Sequence, residues 1–274
     1  MSSSCRKLFV VPASFFLCLF VLSIALKAQI SRSEQVQIGP PLLASVDAPA
    51  KDATVAQLDA RGDELRMQKL YLDALDYYRA ALAKDPKSAG LLNKIGVTQL
   101  MMQRYREAKK SFEQSIKANH EFANAYNNLG VVMYEDKKFN AAVKEYRRAI
   151  AIDGSSASFF SNLGAALFCK KEFEPAIQAY EHAIEIDPDV FARSSRGGVQ
   201  AQLPSPEDRA RYDYTLAKLY AKKGFSEQSL EYLRKAMEEG YKEFSDVYKD
   251  TEFAELRKDK RFTELVATKT PTLQ

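Results

Sequence analysis

The chain has 274 residues, 46% of them hydrophobic, with 40 basic against 36 acidic side chains. Three of the bases, Arg6, Lys7 and Lys27, precede residue 29, so the rest stands within one charge of neutral and carries no electrostatic footprint for nucleic acid. Of three cysteines only Cys169 lies beyond the N-terminal region, so no internal disulfide can staple the body and the fold must rest on an apolar core.

Arg6 and Lys7 open onto an apolar run over 8–26, relieved only by Pro12, Ala13, Ser14 and Ser23, and Lys27 and Ala28 close it. A basic start, an apolar centre and a small residue at the end predict a signal peptide or membrane anchor over 1–28. The compact core after Pro12 favours cleavage. The length of the run favours retention, because at about 1.5 Å per residue it nearly spans a hydrocarbon layer of about 30 Å. Neither Cys5 nor Cys18 follows the small residues that lipidation needs. Both readings place the body outside the cytoplasm, in the periplasm or on the extracytoplasmic face of an inner membrane. Residues 29–53, with Pro40, Pro41 and Pro49 and no clean period, read as a flexible linker.

From residue 54 the sequence repeats. Gly62, Gly96, Gly130 and Gly164 fall 34 residues apart. In the same register stand Ala74, Ala108, Ala142 and Ala176, then Tyr78, Phe112, Tyr146 and Tyr180, then Ala81, Ser115, Ala149 and Ala183. A second aromatic, Tyr71, Tyr105, Phe139 or Phe173, precedes each alanine. Within a unit the apolar residues keep helical spacing, as in Leu92, Ile95, Gly96 and Gln99 and again in Ala108, Phe112, Ser115 and Ile116. Two amphipathic helices joined at Gln103-Arg104 follow, and their small residues permit close approach. One such hairpin cannot bury its own apolar face, so neighbours must stack.

A helix–turn–helix of this length with these small and aromatic places resembles the tetratricopeptide repeat (TPR) family, and more narrowly its bacterial exported members. The fourth unit carries the resemblance best, through Phe160, Leu163, Gly164, Leu167, Ala176, Tyr180, Ala183 and Pro188. The third follows with Tyr126, Leu129, Gly130, Ala142, Tyr146 and Ala149. The family's Trp is replaced by Leu58, Leu92, Tyr126 and Phe160, and its terminal Pro, kept at Pro86 and Pro188, becomes His120 and Gly154 elsewhere. The resemblance implies an all-α solenoid with four repeats over 54–188, at about 55–88, 89–122, 123–156 and 157–190.

An insert over 189–205 comes next, with Arg193, Arg196, Gly197 and Gly198, and alternation over 199–203 that predicts a short hairpin. A degenerate fifth repeat over 206–240 begins at Ser205-Pro206-Glu207-Asp208 and keeps Leu216, Ala217, Tyr220, Ser229, Leu233, Ala236 and Met237, with Ala217 in the glycine place. Residues 241–274 form a C-terminal cap and tail, anchored by Phe244, Val247, Phe253, Leu256, Phe262 and Leu265.

No catalytic constellation emerges. His120 and His182 lie in different repeats without metal-ligand spacing, and nothing beside Cys169 would lower its pKa. No phosphate loop, nucleophile elbow or zinc-protease motif is present. An enzyme built on the insert would need a convergent acid/base pair, which Arg193 and Arg196 lack. No cofactor or metal is expected.

The resemblance implies instead that the first helix of each unit lines a concave groove for an extended peptide or a partner helix. Its places are Asn93, Val97, Leu100 and Met101, then Asn127, Val131 and Tyr134, then Ser161, Ala165 and Phe168. With no Lys or Arg in this strip, the basic clamp of carboxylate-holding TPR adaptors is absent. Tyr134 and Phe168 read as anchors and Asn127 as a bond to ligand backbone, while Asn128 and Asn162 read as structural. The alternative is that the same places pack neighbouring helices together. The expected function is a non-catalytic protein-interaction scaffold in an extracytoplasmic assembly. Its rival is a periplasmic chaperone holding unfolded exported clients. The membrane enters only through an uncleaved N-terminal segment, and self-association stays open.

Overall fold

The computed structural model describes residues 46–194 and 205–267. All helices among them lie in one compact unit, Ala48–Gln274. Four hairpins come first: α1 (Val55–Met67) with α2 (Tyr71–Lys84), α3 (Ala89–Met101) with α4 (Tyr105–Ala118), α5 (Ala123–Glu135) with α6 (Phe139–Ile152), and α7 (Ala157–Cys169) with α8 (Phe173–Ile186). A single turn, α9 (Val190–Ser194), follows. The fifth hairpin pairs α10 (Pro206–Lys222) with α11 (Ser226–Glu238). Three short 3-10 turns lead from it to α12 (Lys260–Ala267). The described residues contain no strand, and none of their helices is long and apolar enough to cross a membrane. The segment over 1–28, most of the linker and the hairpin expected over 199–203 lie outside the described residues.

The helix starts follow from local chemistry. Thr54 and Gln57 form a reciprocal capping box on α1. Ser88 accepts from the Leu91 amide on α3, and Ser205, ahead of Pro206, accepts from the Asp208 amide at 3.0 Å on α10. The turn inside each hairpin is set differently. Lys69, Gln103, Lys137 and Lys171 take φ between 58° and 63°, and Gly224 takes 81° in the fifth hairpin. At each turn the following amide reaches back to the helix, as from Leu70 to the Leu65 carbonyl at 2.9 Å and from Phe225 to the Tyr220 carbonyl at 2.9 Å. This left-handed closure satisfies carbonyls the helix end would otherwise orphan.

Glycine holds the two helices of a hairpin together. A Cβ on Gly62, Gly96, Gly130 or Gly164 would stand only 2.4–2.6 Å from the nearest ring carbon of Tyr78, Phe112, Tyr146 or Tyr180. Each of these rings is completely buried. In the fifth hairpin both partners change together. Ala217 replaces the glycine and Leu233 the ring, and both are fully buried. A branched aliphatic chain leaves room for the methyl group that a planar ring excludes.

Among the described residues one buried cluster runs from Tyr134 to Leu265, further clusters gather around Phe112 and Leu129 and around Ala149 and Phe159, and Leu58, Leu65, Leu75 and Tyr78 are buried in the first hairpin. At the C-terminal end Val247, Phe253, Leu256, Phe262 and Leu265 are buried. The Tyr214 hydroxyl donates to Asp250 at 2.8 Å, and Lys218 bridges Asp250 and Glu252 at 3.1 and 3.2 Å. The Arg257 guanidinium donates to the carbonyls of Val247 and Asp250 at 3.0 and 2.9 Å. Polar bonds of this kind tie the 3-10 turns onto α10, where regular helix would leave the end of the stack open.

Candidate partner-binding face

Along the first helices runs a ladder of side-chain hydrogen bonds between residues 35 apart in sequence. Lys94 donates to Asp59 at 2.7 Å, Asn128 to Asn93 at 2.9 Å, and Asn162 to Asn127 at 2.9 Å. The first rung is ionic and the next two are carboxamides, yet the geometry is the same. Thr215, one rung further on, turns its hydroxyl to the Arg211 carbonyl of its own helix instead, at 2.8 Å. The ladder therefore locks the first four hairpins and stops before the fifth.

Around its ionic rung the charges are all engaged. Lys94 also reaches Asp63 at 2.7 Å, and Asp63 accepts from the Tyr78 hydroxyl at 2.7 Å and from Arg66 at 3.1 Å. Burial alone would raise the Asp63 carboxyl, but the Lys94 and Tyr78 bonds bring it below the usual range. Burial likewise opposes the Lys94 charge, and Asp59 and Asp63 outweigh it, so its pKa rises. Burial and then Asp63 push the Tyr78 phenol up. This cluster is a packed joint with no free charge to offer a ligand.

The structure corrects part of the expected binding strip. Tyr134 and Phe168, expected as anchors, are only 1% and 3% exposed. Tyr134 meets the Phe139 ring edge-on at 5.4 Å, and its hydroxyl lies 3.2 Å from the Cys169 sulfur on α7. Phe168 is held edge-on by Phe173 at 5.1 Å and by Tyr212 of α10 at 5.7 Å. Each ring is covered by the first helix of the next hairpin, which makes it core. Asn127, expected to bind ligand backbone, is buried and committed to the ladder, its amide donating to Asn128 at 3.2 Å. Ser161 and Ala165 are buried too, the Ser161 hydroxyl donating to the Ser158 carbonyl at 3.1 Å.

The remaining places stay accessible. Asn93, Val97, Leu100 and Val131 are half-buried, and Met101 is 50% exposed. Met67, the equivalent of Met101 one repeat earlier, is 74% exposed and was missed. Extending the 34-residue register back from Met101 would have found it. Within this strip the accessible apolar side chains are therefore Met67 on α1, Val97, Leu100 and Met101 on α3, and Val131 on α5.

The reactive side chains stand apart from this face or are blunted. Burial pushes the Cys169 thiol up, and the Tyr134 hydroxyl offsets this only in part, so little nucleophilic thiolate forms. His120 is exposed, while exposed His182 rests against the Phe160 ring at 5.4 Å and 3.3 Å from Glu185. Among the described residues no His, Cys, Asp and Glu cluster could hold a metal ion.

Residues 89–121 and 157–190 each match a tetratricopeptide repeat model, and residues 134–171 match a third, described as TPR repeat. No curated protein matches the sequence. Among solved structures, pilF from Pseudomonas aeruginosa is 20% identical at a TM-score of 0.50, covering 71% of this chain and 81% of its own. MamA is 25% identical at 0.46, covering 65% of this chain and 93% of its own. YrrB, described as a TPR protein with an unusual peptide-binding site, is 22% identical at 0.45, covering 69% of this chain and 87% of its own. Residues 89–121 and 134–190 thus carry tetratricopeptide repeats, set in an all-helical, TPR-like solenoid.

Proposed function

We propose that this chain is a non-catalytic protein-binding scaffold, exported by its N-terminal segment, that takes an apolar peptide or partner helix on the first-helix face of its N-terminal hairpins. One observation carries the reading. Met67 and Met101 project into solvent from equivalent places one repeat apart, flanked by the half-buried Val97, Leu100 and Val131. Exposed apolar side chains in register on one face suit an amphipathic segment, and the satisfied charges beside them add no demand for a charged ligand. Affinity for one segment would be micromolar, about 8 kcal/mol.

A photo-crosslinking residue placed at Met67 or Met101 should capture the partner, while the same residue at Leu72, exposed on α2, should not. Changing both methionines to Glu should abolish capture and leave the melting temperature in place. Equal crosslinking from all three positions, or capture unaffected by the double change, refutes the assignment. Export is tested separately. Envelope fractions should contain chains that start near residue 29 or membrane-bound chains that start at Met1, and soluble cytosolic chains starting at Met1 would refute it.

The same methionines favour a second reading, since flexible thioether side chains adapt to many partners. A holding chaperone would suppress aggregation of several unrelated denatured proteins through Met67 and Met101, whereas a scaffold would capture one folded partner.

A further inference from the structure

The fifth hairpin carries a carboxylate where the others carry an apolar side chain. Four residues before each repeat glycine stand Leu58, Leu92, Tyr126 and Phe160, and four before Ala217 stands Asp213. The side chain is half-buried between α10 and α11. Among the described residues it has no hydrogen bond or ion pair, because the neighbouring cations are already taken. Arg209 is held by Glu239 through two bonds, at 3.2 and 3.0 Å. Lys235 is held by Glu231 at 2.6 Å and lies over the Tyr232 ring at 4.3 Å.

We propose that Asp213 makes the closure of the fifth hairpin pH-dependent, tight when the carboxyl is protonated and loosened when it ionises. The groups facing it are Arg209 and Tyr212 on its own helix and Glu231, Tyr232, Lys235 and Glu239 on α11. Charges that other neighbours turn toward α10 are spent elsewhere. Asp250 and Glu252 engage Lys218, and Glu181 and Glu185 engage Lys222 and Lys223. Burial pushes the Asp213 carboxyl up to about 7; Lys235 and Arg209 pull it back only partly, and Glu239 and Glu231 add to the rise. The unfolded value is near the ordinary 3.8. A raised carboxyl stabilises the closed hairpin fully below the unfolded value, and that stability is lost as pH rises through about 7.

The consequence reaches the rest of the stack. Tyr212, the residue before Asp213, covers Phe168 at 5.7 Å and Tyr180 at 5.6 Å. Loosening α10 therefore uncovers the core face of the fourth repeat. Below neutrality the C-terminal end of the solenoid is sealed. Above it, that end opens more often.

Hydrogen exchange on the full chain tests this. Between pH 5.5 and 8.5, protection factors for amides of α10 and α11 should fall by about thirtyfold, the ratio that a carboxyl moved from about 4 to about 7 produces. Those of α3 to α6 should hold steady. Asp213→Asn should flatten the dependence, because the neutral isostere has no proton to lose. Unchanged protection in α10 and α11, or the same pH dependence in Asp213→Asn, overturns the inference. The wild-type carboxyl gives an independent reading by carbon NMR. A titration midpoint near 7 supports the latch, and one below about 5 refutes it.

Discussion

Replacing Gly130 with Ala isolates the contact on which every 34-residue unit depends. The new Cβ would stand 2.6 Å from Tyr146 Cε1 and 2.7 Å from Cδ1. Ordinary carbon contacts begin near about 3.5 Å, so the ring must retreat by about 1 Å. It has nowhere to go, because Tyr146 is fully buried in the main core cluster. Overpacking of this sort costs about 1–3 kcal/mol, and the better helix propensity of Ala returns about 1 kcal/mol. The expected net loss is about 1–2 kcal/mol in urea unfolding followed by circular dichroism. Gly90→Ala is the control, since its nearest neighbour would be the Ser88 hydroxyl oxygen at 4.0 Å. It should gain a few tenths of a kcal/mol. The fifth hairpin supplies the rescue. Gly130→Ala with Tyr146→Leu copies the Ala217 and Leu233 pair, and a double-mutant cycle should return a favourable coupling of about 1 kcal/mol. A Gly130→Ala protein as stable as wild type, or strictly additive effects in the cycle, would refute the ring-on-glycine account.

The remaining predictions concern single bonds and turns. Among the described residues the buried Tyr180 and Tyr146 hydroxyls have no hydrogen-bond partner, so Tyr180→Phe should raise stability by about 1 kcal/mol. Tyr78→Phe should lower it by a similar amount, because that hydroxyl donates to Asp63; matched thermal melts of the two variants decide between them. Lys137 holds φ at 58°, so Lys137→Gly should stabilise by about 0.5–1 kcal/mol, and Gly224→Lys should destabilise by about 1 kcal/mol, both read from denaturant midpoints. Asn162→Ala breaks the last carboxamide rung and strands the buried Asn127 oxygen, a loss of about 1–2 kcal/mol in chemical unfolding. No loss there would show that the ladder is incidental to the stacking.

What could be read from the residues alone divides by the range of the interaction. The glycine and its ring sit 16 positions apart inside one hairpin, and steric exclusion there fixes both residue types, so the pattern survives in the sequence. The left-handed turns left almost no trace. Lys69, Gln103, Lys137 and Lys171 have ordinary side chains, and only Gly224 announces the conformation that all five share. The buried half of the expected strip was hidden from the sequence for a different reason. Helical spacing says which residues share a face, but it does not say what covers that face. Tyr134 is sealed by Cys169, 35 residues on, and Phe168 by Tyr212, 44 residues on and beyond the insert. Met101 stays 50% exposed, and Glu135, its equivalent in the next repeat, is half-buried. Asp213 was within reach of register reasoning, once the step from Gly164 to Ala217 is taken as 53 residues and not 34. A polar residue at a place that packing reserves for Leu, Tyr or Phe is a departure with an energetic penalty, and the missing ion pair shows that the fold does not compensate it locally. In a solenoid, where each unit is stabilised mainly by its neighbours, such a defect in the last hairpin weakens one interface and leaves the ladder-locked repeats intact.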